Sequence, residues 1–263
     1  MSNGQKEERV RIVVITQNEA FFTPITLKKL VEARGNEIKA IFFLPHYLIF
    51  GSLFLMLRYY LISYGIKFVF SVAHRRLVKF IMNSFFKREP SLNYYIKKFS
   101  IPTYNIKRIN NRILEKINEI SPDLIISLSA TEVFNERLLS LPSKGCINLH
   151  SGPLPNYRGL FPTFWQLLNG EKEIGVTVHF MNEDIDGGNI LLQEKIEISP
   201  FDSLSSLLNR VKTTGAQILL KALEIIESNN IITIPNEITN GSYYGLPKRK
   251  DIKTFLNKGK KLF

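Results

Sequence analysis

The sequence predicts an α/β fold: a doubly wound, mostly parallel sheet with helices on both faces. Three observations carry this. Short runs rich in Val and Ile alternate with segments of helical periodicity. One of those runs, Asp123 to Leu128, is apolar almost throughout, as expected of a parallel strand buried on both faces. A further strand, ending at His150, stops at the breaker run Ser151-Gly152-Pro153, which leaves its last polar side chains at the carboxyl end, where open α/β sheets hold their ligands.

The elements follow in chain order. Val10 to Thr16 is a β-branched first strand, and Thr23-Pro24 opens a helix whose apolar positions include Leu27, Leu30 and Val31. Glu37 to Leu44 reads as a second strand. Ile101 to Tyr104 is a short strand, Asn111 to Ile120 a helix, and Asp123 to Leu128 the buried strand. Thr131 to Leu139 is expected as a helix that delivers the chain to the strand ending at His150. Phe161 to Leu168 is a helix, while Gly175 to Met181 and Ile190 to Ile198 form a strand pair around a turn. Ser203 to Ser228 is a long helix with apolar positions from Leu204 to Ile225. Alternation of this kind implies right-handed crossovers.

Length and composition fit one α/β domain with a substantial core and a short tail. The chain has 263 residues, a formal net charge of +12 and one cysteine, so no intramolecular disulfide can form. Cys146 lies in an apolar run and is expected to be a small buried side chain. Met1 to Arg9 is polar and charged, without the apolar core of a signal peptide, and a cytoplasmic location is expected. No Cys/His cluster has metal-ligand spacing, and neither a Walker loop nor Gly-x-Gly-x-x-Gly occurs.

The chemistry concentrates between Gly145 and Leu191. Side chains alternate along a strand, so Asn148 and His150 share one face while Ile147 and Leu149 point into packing. The loop Leu154-Pro155-Asn156-Tyr157-Arg158-Gly159 follows, and Asp186 precedes Gly187-Gly188. Singly, a strand-end His is more often a satisfied polar residue and an Asp before Gly-Gly more often a turn former. His179 falls in a strand, as core or edge, and is left outside the catalytic set.

In Asn148-x-His150, the Leu-Pro-x-x-Arg-Gly loop and Asp186 at this spacing, the chain resembles the folate-dependent formyltransferases. That family includes methionyl-tRNA formyltransferase, glycinamide ribonucleotide transformylase and the sugar N-formyltransferases. The resemblance implies a Rossmann-like formyltransferase fold over residues 1–228, with 10-formyltetrahydrofolate as formyl donor and a primary amine as acceptor. Attack of a neutral amine on the formyl carbon makes the carbonyl oxygen negative. The Asn148 amide and a protonated His150 would supply donors to it, a positioned donor being worth about 3 kcal/mol. Asp186 would hold His150 charged or take the amine proton through water, and either role stays open. The resemblance also places the pterin along backbone at Glu132, Val133 and Phe134 and along the loop before Asp186, at Asn182 and Ile185. Ser151, Tyr157 and Arg158 would belong to the substrate loop.

The acid-free stretch from Ile38 to Arg88 departs most from the family. It carries Arg58, Lys67, Arg75, Arg76 and Lys79 among many aromatics, and Leu48 to Leu57 is apolar apart from Gly51 and Ser52. Ten residues is short of the about 20 that a spanning helix needs. Three readings stand: a helical insertion over about 46–92, packed on the domain or on a second subunit as a homodimer; an interfacial anchor giving peripheral membrane contact through 47–88; and a tRNA-binding insertion. The acceptor is expected to be a nucleotide-linked amino sugar of a surface polysaccharide. The sugar enzymes resemble this chain in having a short tail, here residues 229–263, whereas methionyl-tRNA formyltransferases append a β-barrel domain, which makes tRNA the alternative. A reading of another class is an inactive fold acting as a binding or membrane-associated scaffold.

Overall fold

The computed structural model describes residues 10–19, 22–85 and 90–263. In chain order the strands are β1 (Ile12–Asn18), β2 (Ile38–Pro45), β3 (Thr103–Asn105), β4 (Leu124–Leu128), β5 (Cys146–His150), β6 (Arg158–Gly159), β7 (Glu173–Phe180), β8 (Ile190–Glu197) and β9 (Tyr243–Tyr244). The helices are α1 (Thr23–Arg34), α2 (Leu53–Tyr64), α3 (Ile66–Phe85), α4 (Leu92–Lys98), α5 (Asn111–Ile120), α6 (Glu136–Leu139), α7 (Pro162–Asn169), α8 (Leu204–Glu227) and α9 (Arg249–Asn257).

Seven strands form one sheet in the order β3-β2-β1-β4-β5-β7-β8. The pairs from β3 to β5 are parallel, and β7 closes antiparallel on β5 and on β8. Alternation within β1 splits the core in two, as the period of a strand requires. Ile12 and Val14 face a cluster with Leu27, Leu30, Leu219 and Ile226 of α1 and α8, while Val13 and Ile15 face Leu114 and Ile117 of α5. Both faces of the sheet are therefore covered, as the doubly wound class predicts.

Local chemistry sets the helix starts. The Asn110 side chain accepts from the Ile113 amide at 3.1 Å, and Ser203 and Ser206 cap each other reciprocally at the head of α8. The helix expected from Thr131 to Leu139 is corrected to a single turn, α6, preceded by a loop. Its cap is Asn135, which accepts from the Leu138 amide at 3.1 Å, whereas the Glu132 carboxylate is drawn away to the Ile109 amide at 2.8 Å. Those two bonds hold residues 131–134 out of helical register.

The insertion leaves the sheet at Pro45, the carboxyl end of β2, and forms α2 and α3. No single helix among the described residues is long and apolar enough to cross a membrane; Leu53–Tyr64 and Ile66–Arg75 reach that composition only as a pair bent by 116°. The break falls at Gly65, whose φ of +84° favours glycine. The side chains of Arg76 and Lys79, and residues Lys87 and Arg88, lie outside what is described.

Residues 229–263 return to the body. Phe255 of α9 is fully buried and stacks on Phe164 at 4.9 Å, β9 pairs in parallel with β6, and the Trp165 indole donates to the Gly245 carbonyl at 3.0 Å. The tail thereby bears directly on the loop that follows His150.

Candidate active site

Asn148 and His150 project from one face of β5 at the carboxyl end of the sheet, with Ile147 and Leu149 buried in the core on the other face. The neighbouring strand β7 pairs antiparallel, and its register sets His179 opposite Asn148. The loop between β7 and β8 then brings Asp186 over both strands.

Asp186 is the point of convergence. Its Oδ1 lies 3.4 Å from Nδ2 of Asn148, 3.4 Å from Nδ1 of His150 and 3.8 Å from Nε2 of His179. Its Oδ2 accepts the Gly159 amide at 2.8 Å. Asp186 holds φ at +52°, in the left-handed region that non-glycine residues occupy sparingly. Asn236 fixes that conformation by donating to the carbonyls of Asp186 at 2.8 Å and Gly188 at 3.1 Å. Glycine is required at 159 because φ is +91° and a Cβ would come within 2.3 Å of the Tyr244 carbonyl oxygen.

The imidazoles have different roles. His150 is buried, and its Nε2 lies 2.9 Å from the Tyr157 carbonyl, so Nε2–H donates there and Nδ1 faces Asp186. His179 has Nδ1 at 2.7 Å from the Phe180 carbonyl, so Nδ1–H donates and Nε2 accepts from the Asn148 amide at 3.1 Å. Burial holds the His179 ring below its ordinary pKa, against the pull of Asp186, and keeps it neutral as this acceptor role demands. The amide of Asn148 thus points its hydrogens at His179 and Asp186, a donor group oriented before any ligand arrives.

The other sequence-predicted residues divide. Tyr157 is buried and turned away: its hydroxyl donates to Glu171, its ring stacks on Tyr244 at 5.2 Å, and burial followed by Glu171 pushes it up to about 12. Its carbonyl, not its side chain, serves the site. Arg158 reaches the Ile185 carbonyl at 3.4 Å, and the Ser151 carbonyl accepts from Gln166 at 3.0 Å. Phe134 is a core side chain and the Glu132 carboxylate accepts from the Ile109 amide at 2.8 Å, so both side chains are engaged within the fold. Val133 and Ile185 are exposed, at 61% and 43%, on the loops after β4 and before Asp186, and Asn182 caps the latter loop through the Asp184 amide at 3.1 Å.

Two residues, Asn236 and Lys212, escaped the sequence reading, and His179, read as core or edge, is buried against the site. Lys212 of α8 sends Nζ to the Ser129 hydroxyl at 3.1 Å and the Ser151 hydroxyl at 3.4 Å. Desolvation pushes its ammonium down to about 8, with Glu19 pulling the other way. A separate groove of ≈ 1320 Å³, lined by Tyr157, Glu171, Lys195 and Lys258, contains none of Asn148, His150 or Asp186.

The profile of the family described as formyl transferase matches residues 84–223. Curated relatives include a protein named methionyl-tRNA formyltransferase from Alkaliphilus oremlandii, 34% identical over 145 residues, which are 55% of this chain and 47% of the relative. Another of that name, from Syntrophus aciditrophicus, is 35% identical over 163 residues, 62% of this chain and 52% of the relative. The chain thus spans about half the length of these curated relatives. Among solved structures, glycinamide ribonucleotide transformylase 1 from Symbiobacterium toebii superposes with a TM-score of 0.61 at 14% identity, covering 88% of this chain and 93% of that one. The N-formyltransferase from Helicobacter canadensis, in complex with folinic acid and dTDP-3-aminofucose, gives 0.58 at 19% identity, covering 92% and 72%. These structures share the fold, and with the profile spanning more than half of its residues the chain belongs to the formyl transferase family.

Proposed function

We propose that this protein transfers the formyl group of 10-formyltetrahydrofolate to the primary amine of a nucleotide-linked amino sugar. The observation that carries the proposal is the convergence of Asn148, His150 and Asp186 within 3.4 Å at the carboxyl end of β5. A binding scaffold has no need of an oriented amide, a buried imidazole and a carboxylate aimed at one point.

The folate donor supplies an activated one-carbon carbonyl. The exposed apolar side chains of Val133 and Ile185 suit a flat heterocycle, with backbone from 132–134 and 182–185 to read its edges. The amine lone pair attacks the formyl carbon, the amine gives up a proton, and the bond from the formyl carbon to the folate nitrogen breaks as that nitrogen takes up a proton, so neutral tetrahydrofolate leaves. The Asn148 Nδ2–H that faces Asp186 at a long 3.4 Å turns to the formyl oxygen and, with a protonated His150 Nδ1–H, meets the negative charge that grows there, while the other amide hydrogen stays on His179. Asp186 accepts the amine proton, directly or through water, and the Gly159 amide steadies its second oxygen while it does so. His179 positions the Asn148 amide and touches no reacting atom in this scheme.

The sugar acceptor is supported by the Helicobacter canadensis neighbour, whose bound ligands are a folate and a nucleotide-linked amino sugar and which covers 92% of this chain. The relatives named methionyl-tRNA formyltransferase support the other acceptor, Met-tRNA. Residues 1–228 would form the catalytic domain, with the insertion at about 46–92 and residues 229–263 as an extension that braces it. Purified protein, 10-formyltetrahydrofolate and a panel of dTDP- and UDP-linked amino sugars beside Met-tRNA give the test. Tetrahydrofolate release that depends on a sugar nucleotide supports the reading; release dependent on Met-tRNA alone refutes the acceptor.

A further inference from the structure

We propose that the outward face of the α2–α3 hairpin docks in the interface of an anionic lipid bilayer. The hairpin is first of all a built part of the protein. Met56 is buried, the Tyr59 hydroxyl donates to the Pro247 carbonyl at 2.7 Å, and Phe68 stacks on Phe263 at 5.5 Å. Its inner face is therefore already covered by the body.

Among the described residues, each helix carries a row of exposed apolar side chains. On α2, Phe54, Leu57 and Leu61 are 71%, 45% and 43% exposed, and on α3, Ile66, Phe70 and Leu77 are 55%, 68% and 57% exposed. Each trio recurs at three-, four- or seven-residue intervals, so each lies along one side of its helix. Scattered exposed apolar residues need no explanation, but two such stripes on consecutive helices do.

Charge selects the occupant. No Asp or Glu occurs from Ile38 to Arg88, while Arg58, Lys67 and Arg75 are exposed in the same segment. Lipid phosphates supply the negative charge that the segment lacks, and the stripes enter the acyl boundary beneath them. A second copy of the hairpin would bring basic residues against basic residues with no acid to offset them. A nucleic acid would satisfy the cations and leave Phe54 and Phe70 in water. The twelve-residue α2 and the 116° bend at Gly65 suit a hairpin lying in the interface rather than crossing, since a span takes about 20 residues.

The test is co-sedimentation of the full chain with vesicles of mixed phosphatidylcholine and phosphatidylglycerol, against pure phosphatidylcholine, at low and high salt. The wild type should bind the anionic vesicles, bind the neutral ones far less, and be released by salt. Phe54→Asp and Phe70→Asp each change an exposed side chain and should lower the partition coefficient about tenfold or more. Arg58→Glu with Lys67→Glu should lower it at least about tenfold on anionic vesicles only. Circular dichroism of the variants should match wild type, and the salt and lipid dependence of the wild type stands as a readout even for a variant that misfolds. Failure of the wild type to sediment with anionic vesicles overturns the proposal. So does a dimer that the Phe54→Asp change dissociates in the absence of lipid, or retention of tRNA in place of vesicles. None of these outcomes depends on formyl transfer.

Discussion

Nδ2 of Asn236 donates to the carbonyl oxygen of Asp186 at 2.8 Å, so a residue of the carboxyl-terminal segment sets the conformation of the carboxylate at the centre of the site. The same amide group holds the Gly188 carbonyl, so the loop is tied at its left-handed residue and again two positions beyond it.

Asn236→Ala should leave two carbonyl oxygens without their donor and cost about 1 to 3 kcal/mol of stability. Because Asp186 then relaxes from its strained φ, kcat should fall more than KM rises. Thermal melts with steady-state kinetics check this, and a melting loss with unchanged kcat would make Asn236 structural only.

Asn148→Ala and His150→Ala should each lower turnover on the order of 100-fold while a folate analogue binds nearly as before, as expected of groups that act on the transition state. Isothermal titration with 5-formyltetrahydrofolate separates the two effects. Near-normal turnover in both variants would remove them from the mechanism.

His179 carries a pH signature. Burial lowers its pKa from the ordinary 6.5, so below that value the unfolded chain binds the extra proton and stability falls as the pH drops toward the folded value. Denaturant melts from neutral to acid pH should show this loss in the wild type and a shallower slope in His179→Leu. Equal slopes would mean that the ring is charged in the fold.

Lys212 acts with the same sign as His179, in a higher window of pH. Its folded value of about 8 lies below the ordinary 10.5, so between these limits the unfolded chain holds the extra proton and stability rises with pH. Lys212→Met should therefore gain most, relative to wild type, below about pH 8, with the difference shrinking as the pH climbs toward 10.5. The Ser129 and Ser151 hydroxyls lose a partner at every pH, so the pH dependence of the difference is the readout. A constant difference would place the ammonium in contact with solvent.

Much of this was legible from residue patterns, and the exceptions have physical causes. The helix Asn111–Ile120 was readable because an Asn cap precedes a strongly amphipathic stretch, and the shared face of Asn148 and His150 follows from the two-residue period. The loop at 131–135 was not, because the Glu132 carboxylate that holds it open reaches Ile109, a contact across 23 positions. His179 was legible as a strand residue, but its contact with Asn148 was not, because only the antiparallel register of β7 on β5 makes it; two strands of unknown order and register do not disclose a cross-strand partner. Lys212 reads as a solvated position on α8 until the packing of that helix places it over Ser129 and Ser151. Asn236 sits in a segment with no periodicity, and its role exists only where the tail meets the loop before β8.

The most direct test of the site is Asp186→Asn. The amide oxygen can keep the Gly159 hydrogen bond, so the fold and the affinity for 5-formyltetrahydrofolate should be preserved while the proton acceptor is lost. Single-turnover formyl transfer should then slow by at least about 100-fold; transfer at the wild-type rate, with folding and folate affinity intact, would contradict the assignment of Asp186 and with it the mechanism.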